Sequence, residues 1–261
     1  LVHEDLAYLV VNNSGKIEVI GPVTCRRHGT IDGLASPRFM LPVASSKAYV
    51  SNLFGGQISI IDLGSYEVTG SIPVPGWNEE LADLSGMVMV AGVETGSLYM
   101  IDPLSDELTD SIYVGHGPVS FEKDARGHLW VLCAGDWMSG TGGALVQISK
   151  DNFRVNQTRL LPGFGGTFSS LAASPDKNTL YVIGDGIYAL SVEEEQAEAQ
   201  LLIPASGRTF YGLDVDPENG WIYVGDAIDF TQAGKVMVFD ANGNELDTIE
   251  AMHNPRGFLF Y

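Results

Sequence analysis

The chain has 261 residues, 45% of them hydrophobic, enough to bury a full core in one β-rich domain. Its 33 acidic side chains against 14 basic ones leave a formal charge of -19, which repels polyanions and argues against nucleic acid as a partner. No apolar run is long enough to read as a transmembrane helix. Two cysteines, Cys25 and Cys133, make no disulfide framework and are expected to be unbridged.

Taken in order, residues 1–4 read as the tail of a strand. Residues 6–11 and 16–20 predict a hairpin across 12–15, with 28–31 as its outer strand. Residues 33–37 turn the chain into a new unit: an inner strand at 38–43, a hairpin at 47–62 and an outer strand at 68–72. The third unit follows Pro75, Gly76 and Trp77, with strands at 87–91, 97–101 and 107–114. The fourth has strands at 119–122, 128–133 and 144–149, interrupted by an insertion at 134–143. The fifth has strands at 169–173 and 179–183 and a tight turn at 184–186. A long polar detour follows at 192–204, within which 192–200 is the one run that suits a helix. The sixth has strands at 211–215, 221–224, 235–240 and 245–249, with a second insertion at 226–234. Residues 258–261 read as the innermost strand of a blade completed by 6–31.

These units repeat. One position carries Tyr8, Tyr49, Met89, Trp130, Tyr181 and Tyr223, at spacings of 41, 40, 41, 51 and 42 residues. A second carries Ile20, Ile61, Ile101, Ile148, Leu190 and Phe239. It is followed by Asp at 62, 102 and 240, and by Ser at 149 and 191. Helical repeats share this length, but they need apolar residues at 3.6-residue spacing over long windows. Here the apolar runs are short, rich in Val, Ile and Tyr, and broken by Gly, Asp and Asn. The pattern therefore predicts an all-β fold: a β-propeller of four-stranded antiparallel blades, one domain over 1–261, with six units readable. By their place at the repeat marks, Trp130 and Trp221 are expected in the core.

The ordered stretches VVNNSGKIEVI, ASPRFMLPVASSKAYVSNLFGGQISIIDL, GRTFYGLDVDPENGWIYVGDAIDFTQAGKVMVFD and NPRGFLFY carry a resemblance. Together they resemble the YncE-like, YVTN-type propellers of gut Bacteroidetes, including surface-layer-like proteins. Members of that family have seven blades and an extra N-terminal segment, which this sequence lacks. The resemblance thus leaves two counts: six blades, or seven with an N-terminal blade missing. Some members resemble BtuG-type surface lipoproteins that bind vitamin B12 and pass it to an outer-membrane transporter. The resemblance implies an extracytoplasmic protein at the outer-membrane surface or in the periplasm. It further implies a cobamide as bound ligand and a surface protein or TonB-dependent transporter as partner, with no required cofactor.

In a propeller, the loops leading into the innermost strands and the loops joining strands two and three lie at one end. Function concentrates on such loops. Arg38, Arg208 and Arg256 precede innermost strands. Asn52, Phe54, Trp137, Asp229 and Phe230 follow second strands. Aromatics, guanidiniums and amides at one end suit a large amphipathic small molecule. The competing reading is structural: such arginines pair with neighbouring carboxylates and seal blade junctions. Trp137, on an inserted loop, is either a ligand anchor or a cover for a blade edge. No catalytic constellation is expected. The five histidines lack metal-ligand spacing, Asp226 and Asp229 lack an EF-hand pattern, and no GxSxG motif or P-loop occurs. Three readings follow: a non-enzymatic extracellular binding propeller, a structural or protein-interaction propeller of a cell-surface assembly, and a lyase or hydrolase. The first leads.

Overall fold

The computed structural model describes residues 1–136, 138–161, 170–194 and 198–260. Among them lie six four-stranded antiparallel sheets, the blades of a propeller fold. The first blade is β1 (Val2–His3), β2 (Leu6–Val11), β3 (Lys16–Ile20) and β4 (Arg27–Ile31). The second is β5 (Pro37–Ala44), β6 (Lys47–Asn52), β7 (Gln57–Asp62) and β8 (Glu67–Pro73). The third is β9 (Asn78–Leu84), β10 (Met87–Gly92), β11 (Ser97–Asp102) and β12 (Glu107–Tyr113). The fourth is β13 (Pro118–Lys123), β14 (Leu129–Cys133), β15 (Gly143–Ile148) and β16 (Val155–Leu161). The fifth is β17 (Leu171–Ala173), β18 (Thr179–Ile183), β19 (Gly186–Ser191) and β20 (Gln200–Pro204). The sixth is β21 (Phe210–Val215), β22 (Ile222–Asp226), β23 (Lys235–Phe239) and β24 (Glu245–Glu250). The chain groups into two compact units, Leu1–Val119 and Ser120–Phe260. No helix among the described residues is long and apolar enough to cross a membrane.

The repeat marks are a register. The six aromatic or Met positions all sit on second strands. The residue before each pairs with the second mark on the third strand: Ala7 with Ile20, Ala48 with Ile61, Val88 with Ile101. Leu129 with Ile148, Leu180 with Leu190 and Ile222 with Phe239 continue the series. Both insertions therefore fall in the turns between strands two and three and leave the pairing untouched. The Asp or Ser after the second mark caps the next turn. Asp62 Oδ1 accepts from the Gly64 and Ser65 amides at 3.0 and 2.7 Å, and Asp240 Oδ1 from Asn242 and Asn244 at 2.9 Å. Short acceptors suit this task because they satisfy turn amides that no strand pairs.

Each unit is tied blade to blade by these same turns. In unit one, the ring of Tyr66 fills the space that a Cβ on Gly29 would occupy, at 2.4 Å. Asp106, held at φ 58°, takes hydrogen bonds from the Tyr49 hydroxyl and from Lys47 Nζ, the latter at 2.7 Å. In unit two, Arg159 on β16 crosses the Trp130 ring at 5.0 Å and donates to the Ser191 carbonyl at 2.6 Å. Trp130 is fully buried, as expected, and both cysteines are free.

Several expectations need correction. Residues 258–260 form no strand. Glu4 and Asp5 are both left-handed, which folds Val2–His3 back onto Leu6 and Ala7 and makes β1 the first strand of its own blade. The C-terminal segment instead crosses the sixth blade at Gly212, Gly225 and Gly234. A Cβ on Gly225 would meet the Pro255 carbonyl oxygen at 1.9 Å. Phe258 and Phe260 then pack on Tyr223, with ring centroids 5.8 and 5.1 Å away. The 192–204 detour ends in a strand, β20, whose Ile203 is buried. No helical turn appears in its described part. Trp221 lies just before β22 and is 42% exposed, so it is not core.

Candidate functional site

Within each unit, the end where innermost strands begin and second strands finish is the leading end. In unit one it carries Arg38, Asn52 and Phe54. Arg38 on β5 meets Glu79 on β9: Nε and Nη2 both reach Glu79 Oε1 at 2.8 Å. Trp77 Nε1 donates to the same oxygen at 2.8 Å. Glu79 is 3% exposed, and its Oε2 has no hydrogen-bond partner among the described residues. Buried carboxylate oxygens of this kind are commonly met by ordered water. Asn52 is fully buried and locks the loop. Its Oδ1 accepts from the Ala35 amide at 3.1 Å, and its Nδ2 donates to Ser59 Oγ at 3.0 Å. Phe54, on the same loop, is 64% exposed.

In unit two, Arg208 pairs with Glu245 at the start of β24, Nη2 to Oε2 at 3.2 Å. Its charge is thus committed to the outermost strand of its blade. Phe230 and Arg256 converge on Tyr211, a β21 residue that sequence reasoning misses. The Phe230 ring meets Tyr211 edge-on at 5.3 Å, and the Arg256 guanidinium sits over Tyr211 at 5.6 Å. The loop that presents Phe230 is held from both sides. Asp226 Oδ1 accepts from the Thr209 and Ile228 amides at 2.9 Å. Asp229 accepts from the Thr231 and Gln232 amides and from both of their side chains. Those bonds, the Gln232 side chain first, hold the Asp229 carboxyl well below its usual range. Ile228 and Phe230 are both left-handed, at φ 55° and 65°. β-branched and aromatic side chains avoid that region, and the strain persists only where surrounding bonds over-determine it. Phe230 is nevertheless 48% exposed. The arrangement is a fixed, half-open aromatic face beside a guanidinium, suited to a flat apolar surface with an acceptor at its edge.

Trp137 lies outside the described residues. Glu79 and Tyr211 were both legible in principle. Glu79 stands 41 residues after Arg38, one repeat on, with the opposite charge. Tyr211 opens an innermost strand beside an insertion. No group of three or more metal-ligating side chains gathers among the described residues.

Neither a protein-family model nor a curated protein sequence matches the chain. Solved structures do. Hydrazine synthase from Kuenenia stuttgartiensis matches with a TM-score of 0.83 at 14% identity, over 96% of this chain and 85% of that one. A quinoprotein alcohol dehydrogenase-like protein from Bacteroides thetaiotaomicron matches with 0.72 at 15% identity, over 96% and 67%. Regucalcin, a calcium-binding protein from Agrobacterium tumefaciens, matches with 0.60 at 20% identity, over 82% and 73%. At these identities the likeness is one of propeller fold alone.

Proposed function

We propose that this chain is a non-enzymatic binding propeller that works outside the cytoplasm and holds a large amphipathic small molecule at its leading end. The observation that carries the reading is the strained, hydrogen-bond-locked loop that keeps Phe230 half exposed against Tyr211 and Arg256. The strain fixes a ring that packs edge-on against Tyr211 yet stays half exposed, and a pre-set anchor loses little freedom on binding.

In its sharp form the ligand is a cobamide, received at the cell surface and handed to a TonB-dependent transporter. Apolar ring edges would lie on Phe230, and the phosphate would meet Arg256. An anaerobic spectral titration with cyanocobalamin tests this. Wild type should bind saturably. Phe230→Ala should weaken binding by about 2 kcal/mol, the size of an interface hot spot, with little change in melting temperature. Saturable binding that Phe230→Ala leaves unchanged would move the site elsewhere. No binding by wild type would end the cobamide form and leave a protein-interaction propeller as the better reading.

A further inference from the structure

The opposite end of unit two, where turns join strands one and two or strands three and four, holds a cavity of about 780 Å³. It lies between the fourth and fifth blades and shares no residue with the Phe230 site. Its floor is a closed polar network. Asp124, 6% exposed, accepts at one oxygen from the Arg126 and His128 amides at 3.0 and 2.9 Å. Its other oxygen accepts from Trp130 Nε1 at 3.0 Å and Gln147 Nε2 at 2.7 Å. Gln147 Oε1 in turn accepts from Asn156 Nδ2 at 3.3 Å and Gln157 Nε2 at 3.1 Å. Asp124 and Gln147 thus hold the two outer amides in fixed orientation, with both Asp124 oxygens and the Gln147 oxygen already engaged.

Unused capacity remains around that floor. Each outer amide donates only one of its N–H groups to Gln147, and a primary amide has two. His128 Nδ1 accepts from the Lys150 amide at 3.2 Å, which leaves Nε2 as the ring's N–H donor. Asn178 adds another amide to the wall, and Arg126 and Glu193 add one charge of each sign. With Asp124 included, the lining has two carboxylates against one guanidinium, which disfavours an anion. Apolar lining is sparse, so a hydrocarbon face gains little there. What matches alternating donors and acceptors on fixed amides is a neutral ligand whose groups both donate and accept, namely one dense in hydroxyls.

We propose that this cavity is a second binding site, for a neutral hydroxyl-rich ligand of the carbohydrate class. The test is saturation-transfer NMR and calorimetry on the full chain with the methyl glycosides of glucose, galactose and mannose, and with methyl glucuronide. At least one neutral glycoside should bind saturably, and glucuronide more weakly than its neutral counterpart. Asn156→Ala, at an exposed position whose Gln147 bond Gln157 duplicates, should weaken binding about tenfold, or about 1.4 kcal/mol, at unchanged melting temperature. Phe230→Ala should leave glycoside binding intact, which separates this site from the one proposed above. The idea is overturned if none of the three neutral glycosides binds, if glucuronide binds most tightly, or if Asn156→Ala and Asn178→Ala both bind as wild type does.

Discussion

Arg38 and Glu79 stand one repeat apart and are each other's partners, which supports the junction-sealing role over the ligand-contact role for that arginine. With 18% and 3% side-chain exposure the pair is largely out of water. Removing one member of such a pair leaves the other charge desolvated and uncompensated. Arg38→Ala is therefore expected to destabilise the protein by about 3–5 kcal/mol, read as a large fall in urea midpoint. Arg38→Met with Glu79→Leu should recover most of that loss, because two apolar side chains leave no buried charge. If Arg38→Ala unfolds like wild type, the pair is ornamental and the arginine becomes free for a ligand. Other residues divide the same way. Asn52 was expected at the binding face, yet its amide is consumed in holding its own loop. Phe230 packs edge-on against Tyr211 and still leaves about half its surface open.

At the scale of elements, the strands were legible and the contacts between them only partly so. Short Val-, Ile- and Tyr-rich runs and Asp- or Gly-bearing turns place β2, β3 and β18 to the residue, and the β6–β7 hairpin within its outer bounds. β20 was missed because Gln200 to Pro204 follows a polar run and is mostly exposed, so it carries no alternation of its own. The C-terminal segment was misread because NPRGF resembles SPRF, the lead-in to β5. What sequence could not register was the glycine track at 212, 225 and 234 that receives Pro255 and Arg256. The turn between strands three and four had a visible sequence mark, but its second task, gripping the preceding blade, appears only in three dimensions. In unit one that grip is Asp106. Against the pull of burial, hydrogen bonds from Lys47 and Tyr49 hold its carboxyl below the usual range. Burial and then Asp106 raise the Tyr49 phenol. Tyr49→Phe should lower stability by about 1 kcal/mol, the net worth of one hydrogen bond, since Asp106 stays partly exposed and keeps its bond from Lys47. Adding Asp106→Asn to Tyr49→Phe should cost less than the sum of the two single changes. A double-mutant cycle with no coupling would show that the grip does not depend on that bond.

For the whole molecule, carboxylates of two kinds set the dependence of stability on pH. In the first kind, turn hydrogen bonds depress the acid: the Ser65 amide at Asp62, Ser174 Oγ at Asp176 and the Asn244 side chain at Asp240. A depressed acid contributes stability that is present above its unfolded pKa and lost as pH falls through the folded one. In the second kind, burial raises the acid: Glu122 against the attraction of Lys177, and Asp214 against the Val215 amide. Here the native state binds the extra proton, so stability falls as pH rises from the ordinary carboxylate value through the higher folded value. The net charge of -19 adds a repulsion that grows in the same direction. Melting temperature should therefore rise as pH is lowered from about 8 to about 5, then drop steeply below about 4 as the turn acids protonate. Asp214→Asn keeps an acceptor for the Val215 amide, which it now takes at 2.8 Å, and removes the buried charge. It should raise the melting temperature near neutral pH and lose that advantage toward the acid end. Added salt should stabilise more at pH 8 than at pH 5, because only the repulsive component is screened. A melting temperature that climbs from pH 5 to pH 8 would overturn this ordering, because the depressed turn acids contribute a constant amount across that window and neither a raised carboxylate nor a growing net charge stabilises as pH rises. The same result with an Asp214→Asn profile parallel to wild type would show that Asp214 ionises in the fold as freely as in the unfolded chain.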